Sequence, residues 1–195
     1  SFDTIDSTNK YAKELVQKDV NLALGTVVTA KTQTAGKGRL GRSFYSPKDC
    51  GIYMSAILVP QYKITNPALI TCITAVVVKN VLCDFFNIQD DLKIKWVNDL
   101  YLGNKKICGI LTEGLFGTKE RNTQSQIESV IIGIGINIFS SDFPLEIKNK
   151  AGAILDNQYF NSKLILQIQK AISERLFLVL DVSPDQIQKN FESLM

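Results

Sequence analysis

Late in the chain, seven residues alternate isoleucine with glycine: Ile131-Ile132-Gly133-Ile134-Gly135-Ile136-Asn137. Successive side chains of a strand point to opposite faces. One face of this segment is therefore branched and apolar, and the other is nearly bare. Glycine weakens a strand, and two at i and i+2 mark a place where something flat lies close to the backbone. A closely packed helix or a bulge fits the same pattern.

The segment belongs to a longer strand, Gln126–Phe139, which faces a second strand, Lys105–Glu113, across a polar loop, Gly117–Ser125. Upstream, Gly51–Val59, Lys93–Val97 and Asp99–Leu102 read as strands, and Gly103-Asn104 makes a tight turn into Lys105. Gly25–Lys31 is β-branched and reads as a strand. Helical spacing appears over Ser7–Lys18 and Ser162–Leu180, and over Asn66–Phe86 with Asn66 as N-cap and Pro67 in the first turn. Ser183–Leu194 opens with Ser-Pro-Asp-Gln, a helix-start signature. Hairpin-linked strands with interspersed helices predict an α+β fold. Its sheet is mixed and largely antiparallel with helices packed on it, and is not a doubly wound parallel sheet. The expectation is one domain over residues 1–195, with a motif-bearing core at 1–139 and a C-terminal loop and helices at 140–195.

Composition enters as a set of exclusions. No apolar run approaches the roughly 20 residues of a bilayer span; the longest, Ala68–Val78, is interrupted by Thr71, Cys72 and Thr74 and followed by Lys79. Ser1-Phe2-Asp3 lacks the basic and apolar parts of a secretion signal. Four scattered cysteines form no Cys-x-x-Cys and read as small buried groups in a reducing, cytoplasmic setting. With no histidine in the chain, Ser-His and Cys-His catalysis is excluded, and no metal site is expected.

Residues 31–42, Lys-Thr-Gln-Thr-Ala-Gly-Lys-Gly-Arg-Leu-Gly-Arg, carry Gly36, Gly38 and Gly41 among Lys37, Arg39 and Arg42. Glycine admits close backbone approach and arginine offers a fork of donors for phosphate or carboxylate. The segment fits a loop wrapped around an anion; it equally fits a solvated turn. It is neither a Walker A loop nor Gly-x-Gly-x-x-Gly. From Lys31 to Lys48 there are five cations and no acid, against a net charge of +3 for the chain. That localisation favours a small anionic ligand over a nucleic-acid face.

Four further segments carry polar groups at turns. Ser7-Thr8-Asn9 opens a helix, a position equally suited to capping. Gln33 precedes the glycine loop. Lys95-Trp96-Val97-Asn98-Asp99 puts an amide and a carboxylate at a turn, where both also serve local backbone hydrogen bonds; Lys105-Lys106 starts an otherwise apolar strand, as a surface pair or with one amine sharing a cleft with that turn.

Taken in order, Asp6–Asn9, Gln33–Arg42, Lys95–Asp99, Lys106–Glu113 and Gly133–Asn137 resemble the catalytic domain of the biotin–protein ligases, biotin–[acetyl-CoA-carboxylase] ligase among them. Each motif is short; five in sequence at compatible spacing are specific. The resemblance implies a fold like that of the class II aminoacyl-tRNA synthetases and biotin ligases. It also implies a two-step reaction, in which biotin and Mg²⁺-ATP give biotinyl-5′-AMP and the biotinyl group passes to one lysine of a biotin carboxyl carrier domain. By carry-over, Ser7, Thr8, Asn9, Gln33, Gly38, Arg39, Tyr53, Lys106, Gly109 and Leu111 would line the biotin pocket, and Gly133 and Gly135 would accept its bicyclic ring. Arg39, Arg42, Phe44, Asn98, Lys106 and Asn137 would serve ATP and the adenylate. Arg39, Lys106 and Asp99 would be catalytic, with Asp99 orienting or deprotonating the incoming lysine.

Four positions depart from the family pattern: Lys37 for arginine, Leu40 for a frequent cation, Val97 for proline and Phe44 for a frequent tryptophan. The expected form lacks the N-terminal helix-turn-helix and the C-terminal small β-barrel seen in some relatives. Expected partners are the carrier domain, biotin and ATP, with no nucleic acid and no membrane. A homodimer is open, through strand edges at Lys105–Glu113 or Gln126–Phe139. The competing readings are a lipoate or octanoate ligase or transferase, and a non-catalytic protein that binds biotinyl-adenylate.

Overall fold

In the computed structural model, which describes residues 1–59, 67–116 and 127–180, seven strands form one sheet in the order β1-β2-β3-β7-β6-β5-β4. The strands are β1 (Phe2–Ile5), β2 (Val27–Gln33), β3 (Gly51–Leu58), β4 (Leu92–Lys95), β5 (Asp99–Leu102), β6 (Lys105–Phe116) and β7 (Ile127–Asn137). The helices are α1 (Thr8–Lys18), α2 (Val20–Ala23), α3 (Pro67–Phe86), α4 (Leu145–Lys148) and α5 (Ser162–Leu180). Only β1 and β2 run parallel among these pairs; the other five pairings are antiparallel. The mixed, largely antiparallel sheet expected from the hairpins is therefore present.

The alternation in β7 decides which side of the sheet carries the core. Val130, Ile132, Ile134 and Ile136 pack with Ile52, Met54 and Ala56 of β3 against α3 and α5. Ile131 points the other way, with Ile57 and Val28, toward Ala12 and Val16 of α1. That second side is where Gly133 and Gly135 leave the backbone bare. Register aligns the bare positions across strands: Tyr53, Gly135, Gly109 and Asp99 form one row, and Ser55, Gly133 and Leu111 form the next.

Several expectations shift. β1, α2 and α4, four residues each, are too short to show a period and were not expected from sequence. Strand β4 ends at Lys95, two residues before the expected Val97, and β6 continues to Phe116. Asn66, loop 117–125 and helix 183–194 lie outside the described residues. Strand β7 is no sheet edge over Val130–Ile136, because β3 and β6 flank it. Strand β6 is flanked by β5 only as far as Gly109, so among the described residues its second half has a strand partner on one side. Helix α3 is long and apolar enough to cross a bilayer, contrary to the reading of its interrupted run, yet 67% of that stretch is buried inside the protein. Its apolar composition is accounted for by packing on the sheet and α5, where Arg175 also pairs with Asp84 at 2.7 Å.

Candidate active site

The bare side of the sheet forms the floor of a cavity between the start of α1 and the glycine-rich loop. Ser7 caps α1 from an extended conformation, its side chain accepting from the Lys10 N–H at 3.5 Å. The next two residues then enter the helix with their side chains turned inward: Thr8 is 3% and Asn9 5% exposed. Burying such groups costs free energy unless each finds a partner. Here they do. The Thr8 N–H donates to Gln33 Oε1 at 2.8 Å, and Thr8 Oγ1 lies 3.1 Å from the same oxygen. Gln33 Nε2 donates to Ser46 Oγ at 3.0 Å. Ser55 Oγ stands 2.8 Å from Thr8 Oγ1 and 2.5 Å from Asn9 Oδ1. Asn9 Nδ2 donates to Glu113 Oε2 at 2.9 Å, and Glu113 is paired with Lys13.

The loop that closes the cavity is a small antiparallel ribbon. Phe44 N–H donates to Gly36 O at 2.9 Å, Gly38 N–H to Arg42 O at 2.7 Å, and Lys37 bridges Ser43. Gly36 is required by contact, since a Cβ there would lie 2.5 Å from Phe44 O and 2.8 Å from Ser46 Oγ. The ribbon turns through Leu40 and Gly41, both left-handed at φ 56° and 74°. Gly41 adopts this freely, whereas Leu40 does so at a cost. The Leu40 side chain is 89% exposed at the rim.

The flat object on the glycine floor is supplied by the protein itself. The Phe44 ring lies over Gly135 and Gly109, and the Asn9 amide lies over Gly133. In this structure the bare face expected to accept a bicyclic ring is covered by those two side chains.

Elsewhere in the same cavity, Arg39 Nη1 donates to Asn98 Oδ1 at 2.9 Å, and Asn98 Nδ2 donates to Asp99 Oδ1 at 2.9 Å and to Ile110 O at 3.1 Å. Lys106 Nζ donates to Asp99 Oδ1 at 2.7 Å. The two neighbouring lysines diverge: Lys106 enters the cavity, while Lys105 Nζ donates to Lys148 O and Asn149 O at the end of α4. Among the described residues, four cations (Lys37, Arg39, Arg42, Lys106) and one carboxylate (Asp99) line the cavity, an excess that favours an anionic occupant. Among the described residues, no group of three or more metal-ligating side chains comes together.

The cavity is lined by Ser7, Thr8, Asn9, Gln33, Gly38, Arg39, Arg42, Phe44, Asn98, Asp99, Lys106, Gly109, Leu111, Gly133 and Gly135. Two expected site residues are not brought there. Tyr53 is 1% exposed beneath Phe44, with its hydroxyl donating to Pro47 O at 2.9 Å, and burial pushes its phenol pKa well up. Asn137 is directed away, its Nδ2 donating to Gly152 O at 2.9 Å, which ties residues 150–152 to the sheet beside Lys106. Sequence reasoning missed Ser46, Ser55 and Glu113. Period-two alternation from Tyr53 could have placed Ser55 on the site face; Ser46 carries no such signal. The four cysteines are free, and burial raises the thiol pKa at each. None lines the cavity as a nucleophile.

The chain is similar to known proteins over most of its length. The family model described as the biotin/lipoate A/B protein ligase family matches residues 1–137. The bifunctional ligase/repressor BirA of Bacillus spizizenii is 41% identical over 154 residues, 78% of this chain and 44% of that protein. The biotin–[acetyl-CoA-carboxylase] ligase of Paracoccus denitrificans is 27% identical over 165 residues, 80% of this chain and 65% of that protein. The solved biotin protein ligase from Aquifex aeolicus in complex with biotin and ATP superposes with a TM-score of 0.71 at 29% identity, covering 100% of this chain and 77% of that one. The chain thus spans less than half the length of the BirA relative. With the matched region running from β1 to the end of β7 and enclosing every wall of the cavity, the chain belongs to the biotin/lipoate A/B protein ligase family.

Proposed function

We propose that the chain activates biotin with ATP as biotinyl-5′-AMP and transfers the biotinyl group to a lysine of a biotin carboxyl carrier domain. The observation that carries this reading is the meeting of two walls in one cavity: polar Ser7, Thr8, Asn9 and Gln33 face cationic Arg39, Arg42 and Lys106. In the first step a biotin carboxylate oxygen attacks the α-phosphorus, the bond to the bridging oxygen breaks, and pyrophosphate leaves. Two anions must be held together; like charges about 4 Å apart repel by about 4 kcal/mol at an effective dielectric near 20. Arg39 and Lys106 offset that repulsion and stabilise charge on the transferring group. Arg42, Phe44 and Asn98 serve the nucleotide.

In the second step the acceptor lysine amine attacks the acyl carbonyl, AMP leaves, and one proton is released. Asp99 holds Lys106 in position and, in this reading, orients or deprotonates that amine. Neither step needs a side-chain nucleophile, so positioning and charge carry the catalysis. Mg²⁺ accompanies ATP in this reading, but the one carboxylate of the cavity is already engaged by Lys106 and Asn98. The residues present make no cage for the ion, which the phosphates would carry. The proposal places the chain in the cytoplasm, where its free thiols stay reduced, with a carboxylase such as acetyl-CoA carboxylase supplying the acceptor. A homodimer would use the open edge of β6.

Mass spectrometry of a carrier domain incubated with the chain, Mg-ATP and either biotin or lipoate tests this. A biotin-sized gain on one lysine, abolished by Arg39→Ala or Lys106→Ala, is expected. A lipoate-sized gain would move the chain to the lipoate side of its family. No gain with bound biotinyl-adenylate would make it a binding protein.

A further inference from the structure

Glu113 closes the Lys106–Glu113 motif, yet it does not line the cavity and the reaction above gives it no part. Its contacts give it one. An ionised carboxylate only accepts hydrogen bonds. Glu113 receives Lys13 Nζ on Oε1 at 2.5 Å and Asn9 Nδ2 on Oε2 at 2.9 Å. The Asn9 amide therefore turns its NH₂ toward Glu113 and its oxygen toward Ser55 Oγ, 2.5 Å away. Ser55 is fully buried and has one proton, which goes to that oxygen. Its lone pairs then face Thr8 Oγ1 at 2.8 Å.

The opposite side of Thr8 is polarised the same way. Ser46 Oγ donates to Phe44 O at 3.0 Å, so it accepts from Gln33 Nε2 at 3.0 Å, and Gln33 Oε1 faces Thr8. Thr8 Oγ1 stands between two acceptors, Ser55 Oγ and Gln33 Oε1, and its single proton goes inward to one of them. Toward the cavity the hydroxyl can then only accept.

We infer that Glu113, braced by Lys13, sets the hydrogen-bond polarity of the pocket wall through Asn9 and Ser55, so that Thr8 receives an N–H donor of the substrate. Glu113 is then a positioning residue for substrate choice: it favours a cyclic urea over an acyl group without N–H, and this rests on the biotin reading above. A site built to pair a substrate N–H discriminates strongly when that pairing fails.

Titration calorimetry of the full chain with biotin and with ATP tests it. Glu113→Gln is near-isosteric but has one acceptor oxygen, for which Lys13 and Asn9 compete. It should weaken biotin about tenfold or more while ATP stays within about twofold. Lys13→Met keeps the carboxylate and should cost biotin less than about threefold. Adding Lys13→Met to Glu113→Gln frees the introduced amide to turn its oxygen to Asn9, and should restore most of the loss. Unchanged biotin affinity in Glu113→Gln, equal weakening of biotin and ATP, or no recovery in the double variant would each overturn the inference. Failure of the unaltered chain to bind biotin would overturn the functional reading itself, and is seen before any variant is compared.

Discussion

Adding one methyl group at Gly133 or at Gly135 is the same chemical change two residues apart on one strand face, and the structure predicts different outcomes. At Gly133 the new Cβ would collide with the Asn9 amide, coming within 2.8 Å of Cγ and of Nδ2. Asn9 is 5% exposed and held by Ser55 and Glu113, so it cannot swing away without breaking those bonds. Two hydrogen bonds at about 1 kcal/mol each, plus a buried amide left short of partners, plus overpacking, are offset by about 0.5–1 kcal/mol of unfolded-state entropy. The net loss is about 2–4 kcal/mol, or about 4–16 °C in Tm for a chain of this size. At Gly135 the Cβ would meet the Phe44 ring at 2.6, 2.8 and 2.9 Å. That ring is half-buried on a loop and can rotate outward, so Gly135→Ala should cost about 1 kcal/mol or less. Its effect should fall on nucleotide affinity instead. Thermal melts of the two purified variants, with an ATP titration, check this. Equal destabilisation, or a larger Tm loss in Gly135→Ala, would refute the assignment of which neighbour can yield.

Other outcomes follow from single contacts. Asp99→Asn removes the carboxylate that holds Lys106 at 2.7 Å. Pyrophosphate release should slow about tenfold or more while stability falls by about 1 kcal/mol, because the pair is partly exposed; an unchanged rate would make the contact idle. Leu40→Asn places a residue that tolerates the left-handed region at φ 56° and ψ 37°. It should add about 0.5–1 kcal/mol and raise Tm by about 1–4 °C; a lower Tm would show that Leu40 is held by packing. Hydrogen bonds from Lys31 and Lys10 hold the Asp3 and Asp6 carboxyls below their ordinary 3.8. The stabilisation they add is present above that value and is lost as pH falls through the lower folded values. Both pairs are exposed, so the acid-side loss measured by denaturation below about pH 4 should shrink in about 0.5 M salt, and a salt-independent profile would count against them.

The elements that repeat a period over many residues were legible without the fold. Ser162–Leu180 appears with the same bounds in sequence and structure, and β3, β6 and β7 are displaced only at their ends. Strand β1 was not, because four residues paired in parallel to β2 carry no pattern that separates them from a loop.

At the site, local chemistry named the residues but not their partners. Glycine at 36, cations at 37, 39 and 42, and polar groups at 7–9 are intrinsic to the chain. That Lys106 rather than Lys105 enters the cavity, and that Asn137 ties down Gly152, follow from register and from what packs against each strand end. Tyr53 shares a row with Gly135, but its ring meets Phe44 edge to face and its hydroxyl turns to Pro47, so Phe44 and not Tyr53 lines the cavity. The sequence by itself determined the antiparallel hairpins, the bare strand face and the local excess of positive charge, because these depend on neighbours along the chain. Tertiary structure alone decided what covers the bare face and which way each hydrogen bond of the pocket wall points. Those depend on groups such as Asn9 and Glu113, or Arg39 and Asn98, that lie far apart in the chain and meet only when the sheet closes.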